Sequence, residues 1–151
     1  MTFRQAVAQT PDLGAPTFQP GLQALGNHSS RVQCADTQSL TGSVALDDVL
    51  KAQYPNDPRW DYGIGLRKAR GEAAMWIEVH HASTSEVTTV LNKLQWLKNW
   101  LKNQAPLLDK LTTAQSYYWV AISGVHIRQG SPQARRLQLA GLSLPRNLVI
   151  L

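Results

Sequence analysis

The chain has 151 residues, 43% of them apolar, and a formal net charge of +5. That length fits one domain with a real hydrophobic core and excludes a chain that needs disulfides or a structural metal to fold. One cysteine, Cys34, excludes any internal disulfide, and a single cysteine of this kind usually packs as a small apolar side chain.

Charge is placed unevenly. Residues 1–75 carry seven Lys/Arg and seven Asp/Glu, whereas residues 76–151 carry eight and three and so hold the entire excess. A basic half favours a polyanionic partner, although a solvated basic face is equally common. The first sixteen residues have no continuous apolar run, and no stretch approaches the ~20 apolar residues of a spanning helix. The expectation is a cytoplasmic protein with no membrane association, with a bacterial cell as the default source.

In chain order, residues 1–30 are punctuated by Pro11, Gly14, Pro16, Pro20, Gly21 and Gly26 and show no period. They are expected to form a flexible N-terminal arm or peripheral loop, leaving 31–151 as the single α/β domain. Residues 31–37 suggest a short strand and Thr41-Gly42-Ser43 a turn. Leu46, Val49 and Leu50 follow helical spacing, with Asp47 and Asp48 in the first turn where the helix dipole favours acids. Pro55-Asn56-Asp57-Pro58 is a turn.

Two runs then alternate with period two. Over 60–66, Trp60, Tyr62, Ile64 and Leu66 oppose Asp61, Gly63 and Gly65. Over 73–81, Met75, Ile77 and Val79 oppose Trp76, Glu78 and His80. Each reads as a strand with two unlike faces, joined by a hairpin loop at Arg67–Glu72. Ser83 and Glu86 have the spacing of a capping box. The helix they open runs to about Gln104, with Val87, Val90, Leu91, Leu94, Leu97 and Leu101 as its apolar stripe and Trp96 and Trp100 beside it. A buried strand at 116–123, a short helix at 132–140 and a terminal strand at 147–151 complete the pattern.

The order helix, strand with Asp, strand with Glu-x-His, long helix, strand resembles the common core of the PD-(D/E)xK nuclease superfamily. The residues that carry the resemblance are Trp60-Asp61-Tyr62 and Trp76-Ile77-Glu78-Val79-His80, within a stretch of roughly 44–123. It implies a restriction-endonuclease-like fold, a central mixed sheet with a helix–β–β–long helix–β core. It also implies a metal-dependent endonuclease acting on DNA or RNA, with Mg²⁺ or Mn²⁺ held by Asp61 and Glu78. Hard cations of this kind prefer carboxylate oxygens and keep several waters.

The departure from the family pattern is His80, which stands where the family has lysine. Imidazole, with a reference pKa near ~6.5, is mostly neutral at pH 7 and makes a poorer fixed charge. It can orient or deprotonate a water, or ligate a softer ion such as Mn²⁺ or Zn²⁺. Lys93, on the helix, is the candidate to supply the missing cation. The catalytic set is therefore Asp61, Glu78, His80 and Lys93, with Asp47 or Asp48 able to serve as the acid that the family often carries on its first helix. Lys98, Lys102, Arg128, Arg135 and Arg136 are the candidate phosphate contacts.

The structural alternatives are specific. Asp61 can bond loop amides, and Glu78 can form an internal ion pair with Lys93 or Arg67. The corresponding functional alternatives are a catalytically inactive nuclease-like binding or assembly module, with the five tryptophans forming core and interface to a protein partner or a second copy, and a nucleic-acid binder without catalysis.

Overall fold

The computed structural model describes residues 1–151. Four strands form one mixed sheet: β2 (Leu40–Ala45), β3 (Tyr62–Lys68), β4 (Gly71–Ala82) and β5 (Tyr117–Val125), in that spatial order. β2, β3 and β4 run as an antiparallel meander. β5 lies parallel to β4, because the helix α3 (Val87–Gln104) makes the crossover between them. The β3–β4 hairpin is tighter than the charged loop suggests: Lys68 pairs with Gly71. A separate two-stranded parallel pair joins β1 (Val32–Gln33) to β6 (Val149–Ile150). No helix is long and apolar enough to cross a membrane.

Both faces of the sheet are covered, which gives the α/β architecture its layers. The first face carries Val44, Ala74, Trp76, Tyr117, Trp119 and Ala121. Against it pack the helices: α1 (Phe3–Gln9), α2 (Leu46–Leu50), α3, α4 (Pro106–Lys110) and α5 (Pro132–Leu139). The second face carries Ile64, Leu66, Ala73, Met75, Ile77, Val79 and Val120, closed by Leu25, Val32 and Val149. The alternation expected for the two central strands is therefore observed on β4, with Trp76 and Glu78 on the helix side and Ile77 and Val79 opposite.

Residues 1–30 are not a flexible arm. Thr2 and Gln5 close a complete capping box, and Phe3, Ala6 and Val7 of α1 are fully buried. β3 makes the room. A Cβ at Gly65 would stand 2.6 Å from the Phe3 Cβ, and one at Gly63 would stand 2.5 Å from the Trp76 ring. Two glycines on one strand face thus form the floor on which two large rings lie. Farther along, Asp12 accepts from the Tyr54 hydroxyl at 2.6 Å and from Trp100 Nε1 at 3.0 Å, tying the same segment to α3.

Other expectations shift as well. Thr41-Gly42-Ser43 lies inside β2 and is not a turn; Gly42 is needed there because the Phe18 ring crosses it. The strand expected at 31–37 shrinks to two residues. α4 follows α3 directly. Trp60 and Asp61 precede β3, so the strand starts at Tyr62.

Candidate functional site

The register of the hairpin decides where the acids go. Tyr62 stands opposite Ile77, which sets Asp61 across from Glu78 at the open end of the pair. The contact is reciprocal. The Asp61 N–H donates to Glu78 Oε1 at 3.2 Å, and the Val79 N–H donates to Asp61 Oδ2 at 2.9 Å. Both carboxylates therefore share the helix-covered face of the sheet, a placement that the register decides.

α3 delivers the third group. Val87, Val90, Leu94, Leu97 and Leu101 turn one side of the helix into the core, and Lys93 sits at the border of that stripe. Its Nζ donates to Glu78 Oε2 and lies 3.9 Å from Asp61 Oδ1. Of the two internal ion pairs anticipated for Glu78, the one with Lys93 forms. Arg67 is instead exposed, paired across the hairpin with Glu72.

His80 returns to the Glu78 face two residues on. Its Nδ1 is 3.6 Å from Glu78 Oε2, and its Nε2 is 2.9 Å from Glu86 Oε2. Glu86 was expected to cap the helix. Ser83 makes no side-chain capping bond, and the Glu86 carboxylate bends back to the imidazole. The foregone cap is worth about 1 kcal/mol in a typical helix. Glu86 is the site residue that sequence reasoning missed. Its signal was spacing: seven residues before Lys93 is two turns of the same helix face.

The acids stand in unlike settings. Glu78 is fully buried, and both of its oxygens have partners. Asp61 keeps a side-chain exposure of 20%. Burial first, then the negative charge of Glu78, pushes its carboxyl up to about 7, against the opposing pull of Lys93 and the Val79 amide. His80 titrates above its ordinary value because the Glu78 carboxylate stands beside it, with burial opposing and Glu86 reinforcing.

Asp47 approaches from α2. Its N–H donates to the Asp61 carbonyl at 3.3 Å, while its carboxylate takes the Arg59 guanidinium at 3.0 Å. Its charge is a minor contribution to the raised Asp61 pKa. Asp48 is exposed.

The basic candidates do not converge on this cluster. Lys98 is about 140° round α3 from Lys93 and Lys102 about 180°, at 100° per residue. Lys98 Nζ donates to the Ala140 carbonyl at 2.7 Å and lies over the Tyr117 ring. Arg136 reaches Thr88, on the same far flank of the helix. Lys102, Arg128 and Arg135 are exposed.

Whether the cluster suits an ion follows from its donors. No three or more His, Cys, Asp or Glu side chains stand together as a ready-made metal cage. Both His80 nitrogens face carboxylates, so the imidazole is not free for a soft metal. Asp61 Oδ1 is the carboxylate oxygen with no hydrogen bond. Asp61 offers one free oxygen, whereas Glu78 is buried with both oxygens bonded, so a hard cation would be shared by the two acids only with the Lys93 ammonium displaced from Glu78. They do not fit a zinc cage.

Five surface cavities are lined by other residues. No family model matches this chain, and no curated protein or solved structure is significantly similar to it.

Proposed function

We propose that this chain is a metal-dependent nuclease-like protein of the PD-(D/E)xK kind, hydrolysing phosphodiester bonds of DNA or RNA. The observation that carries this reading is the meeting of Asp61, Glu78 and the Lys93 ammonium at one end of the β3–β4 hairpin. The element order supports a restriction-endonuclease-like core: a three-strand meander, a crossover helix and a parallel strand, with Asp61 just before its second strand and Glu78 on its third.

In this reading Asp61 and Glu78 hold Mg²⁺ or Mn²⁺. When bound, such an ion offsets charge on the phosphoryl oxygens and lowers the pKa of a coordinated water. Lys93 takes over from the helix the cationic role that lysine has in the family motif. Its ammonium lies beside the free Asp61 oxygen, where it can stabilise charge on a phosphate drawn to the same spot. His80, held at Nε2 by Glu86, would orient the attacking water from Nδ1, which lies 3.6 Å from Glu78 without a hydrogen bond to it. The backbone bonds of Asp61 and Glu78 hold both acids in place before any substrate arrives.

A second reading is a catalytically inactive nuclease-like module that acts through protein or nucleic-acid contacts. It is favoured by the full burial of Glu78 and the partners on both of its oxygens. Cleavage separates the two. With Mg²⁺ or Mn²⁺, the purified protein is expected to cut DNA or RNA, and Asp61→Ala and Glu78→Ala each to abolish cutting in a folded domain. Absence of cleavage by the wild type with either ion leaves the binding module.

A further inference from the structure

We propose that Glu86 is a positioning residue of this site, clamping the His80 imidazole so that its Nδ1 edge faces Glu78. This inference rests on the nuclease-like reading for its purpose but not for its geometry.

The clamp is a chain of named contacts. Glu86 Oε2 is 2.9 Å from His80 Nε2, and the opposite ring nitrogen is 3.6 Å from Glu78 Oε2. A ring pinned at one nitrogen presents the other in a fixed direction, and the partner of one nitrogen sets the proton on the next. His80 and Glu86 are both partly buried, with side-chain exposures of 24% and 35%. Trp119 Nε1 donates to the His80 carbonyl at 3.2 Å, so the backbone beneath the ring is held as well.

The helix start shows that this is not a cap that happens to touch a histidine. Elsewhere the chain uses its capping residues in the ordinary way. Thr2 and Gln5 form a full capping box, and the Ser131 hydroxyl accepts from the Ala134 N–H at 3.1 Å. At Ser83–Glu86 the same sequence signal is present, yet Ser83 Oγ pairs with Ser85 Oγ and Glu86 turns away to His80. Local structure that departs from its own sequence rule is where a functional constraint is expected. The lysine of the family motif is a long chain ending in one cation. A histidine at that position is short and planar, and has to be aimed; Glu86 does the aiming.

The test compares Glu86→Ala with Glu86→Gln in the full chain. The carboxamide oxygen of glutamine can still accept from Nε2–H, whereas alanine cannot. Proton–nitrogen NMR of the His80 ring reads the clamp without reference to cleavage. The wild type and Glu86→Gln are expected to show a protected Nε2–H resonance, and Glu86→Ala to lose it. Turnover with Mn²⁺ is expected to fall about 10–100-fold in Glu86→Ala, the usual cost of losing a supporting partner, with KM little changed and most activity kept by Glu86→Gln. A protected Nε2–H in Glu86→Ala, or full turnover by that variant, overturns the proposal. A folded wild type that cuts nothing overturns the nuclease reading, and the resonance alone then decides the clamp.

Discussion

Asp61 and Glu78 are fastened to each other through the backbone: the amide of Asp61 bonds the Glu78 carboxylate, and the amide after Glu78 bonds the Asp61 carboxylate. The separation of the two acids is thus set by hairpin register and does not wait for an ion. A carboxylate as buried as Glu78 would be costly if unpaired, so the Lys93 ammonium is a structural need as well as a chemical opportunity.

That dual role gives the first prediction. Lys93→Met leaves Glu78 buried without its cation and is expected to destabilise the fold by about 3–5 kcal/mol. The double variant Glu78→Gln with Lys93→Met removes both charges and is expected to recover much of the loss. Denaturant unfolding of the four proteins in the cycle measures the coupling; additive losses would contradict an intimate pair.

A second prediction concerns pH. The Asp61 carboxyl is pushed up to about 7 by burial and by Glu78. The folded state therefore binds this proton more tightly than the unfolded chain, whose value is near ~3.9. The stabilisation is complete below about pH 4 and is lost as pH rises through about 7. His80, also raised, acts in the same sense: its contribution is complete below its unfolded value near ~6.5 and is lost above. Asp61→Asn is expected to flatten the fall between about pH 4 and 7, read as the difference in unfolding free energy between variant and wild type. An unchanged slope would mean that Asp61 ionises normally.

The N-terminal segment supplies a third. Phe3 is fully buried on the Gly65 floor. Phe3→Ala is expected to cost about 3–5 kcal/mol. Chemical denaturation checks it, and a change within ~0.5 kcal/mol, the range of a surface substitution, would restore the picture of a detached arm.

Gly65 supplies the matching fourth. A methyl there meets Thr41 Oγ1 at 2.5 Å and Phe3 atoms at 2.6 and 2.7 Å. Gly65→Ala is expected to lose about 1–3 kcal/mol by overpacking. Phe3→Ala should soften that loss, because the clash partner shrinks, and thermal unfolding of the double variant tests the link.

What the sequence revealed followed from periodicity. The stripe Val87–Leu101 and the alternation around Glu78 are long enough to name a helix and a two-faced strand with Glu78 and His80 on one face; that Asp61 and Lys93 join them there is set by the hairpin register and by the docking of α3. What stayed hidden depended on distant partners. The spacing of Phe3, Ala6 and Val7 covers barely one helical turn, and its burial depends on glycines some sixty residues later. Thr41-Gly42-Ser43 has the composition of a turn and becomes a strand because β3 and Phe18 close on it. Glu86 matched a local rule that a histidine six residues earlier outcompeted. The basic residues expected near the acids are spread over the far flank of α3 and beyond it, since clustering in sequence says nothing about helical azimuth.

The most direct measurement is Mn²⁺ binding by electron paramagnetic resonance, on the wild type and on folded Asp61→Asn and Glu78→Gln. One bound ion in the wild type, lost or much weakened in both variants, is the predicted result. A wild type that binds no ion, or variants that bind it equally well, would contradict a cation site between these two carboxylates.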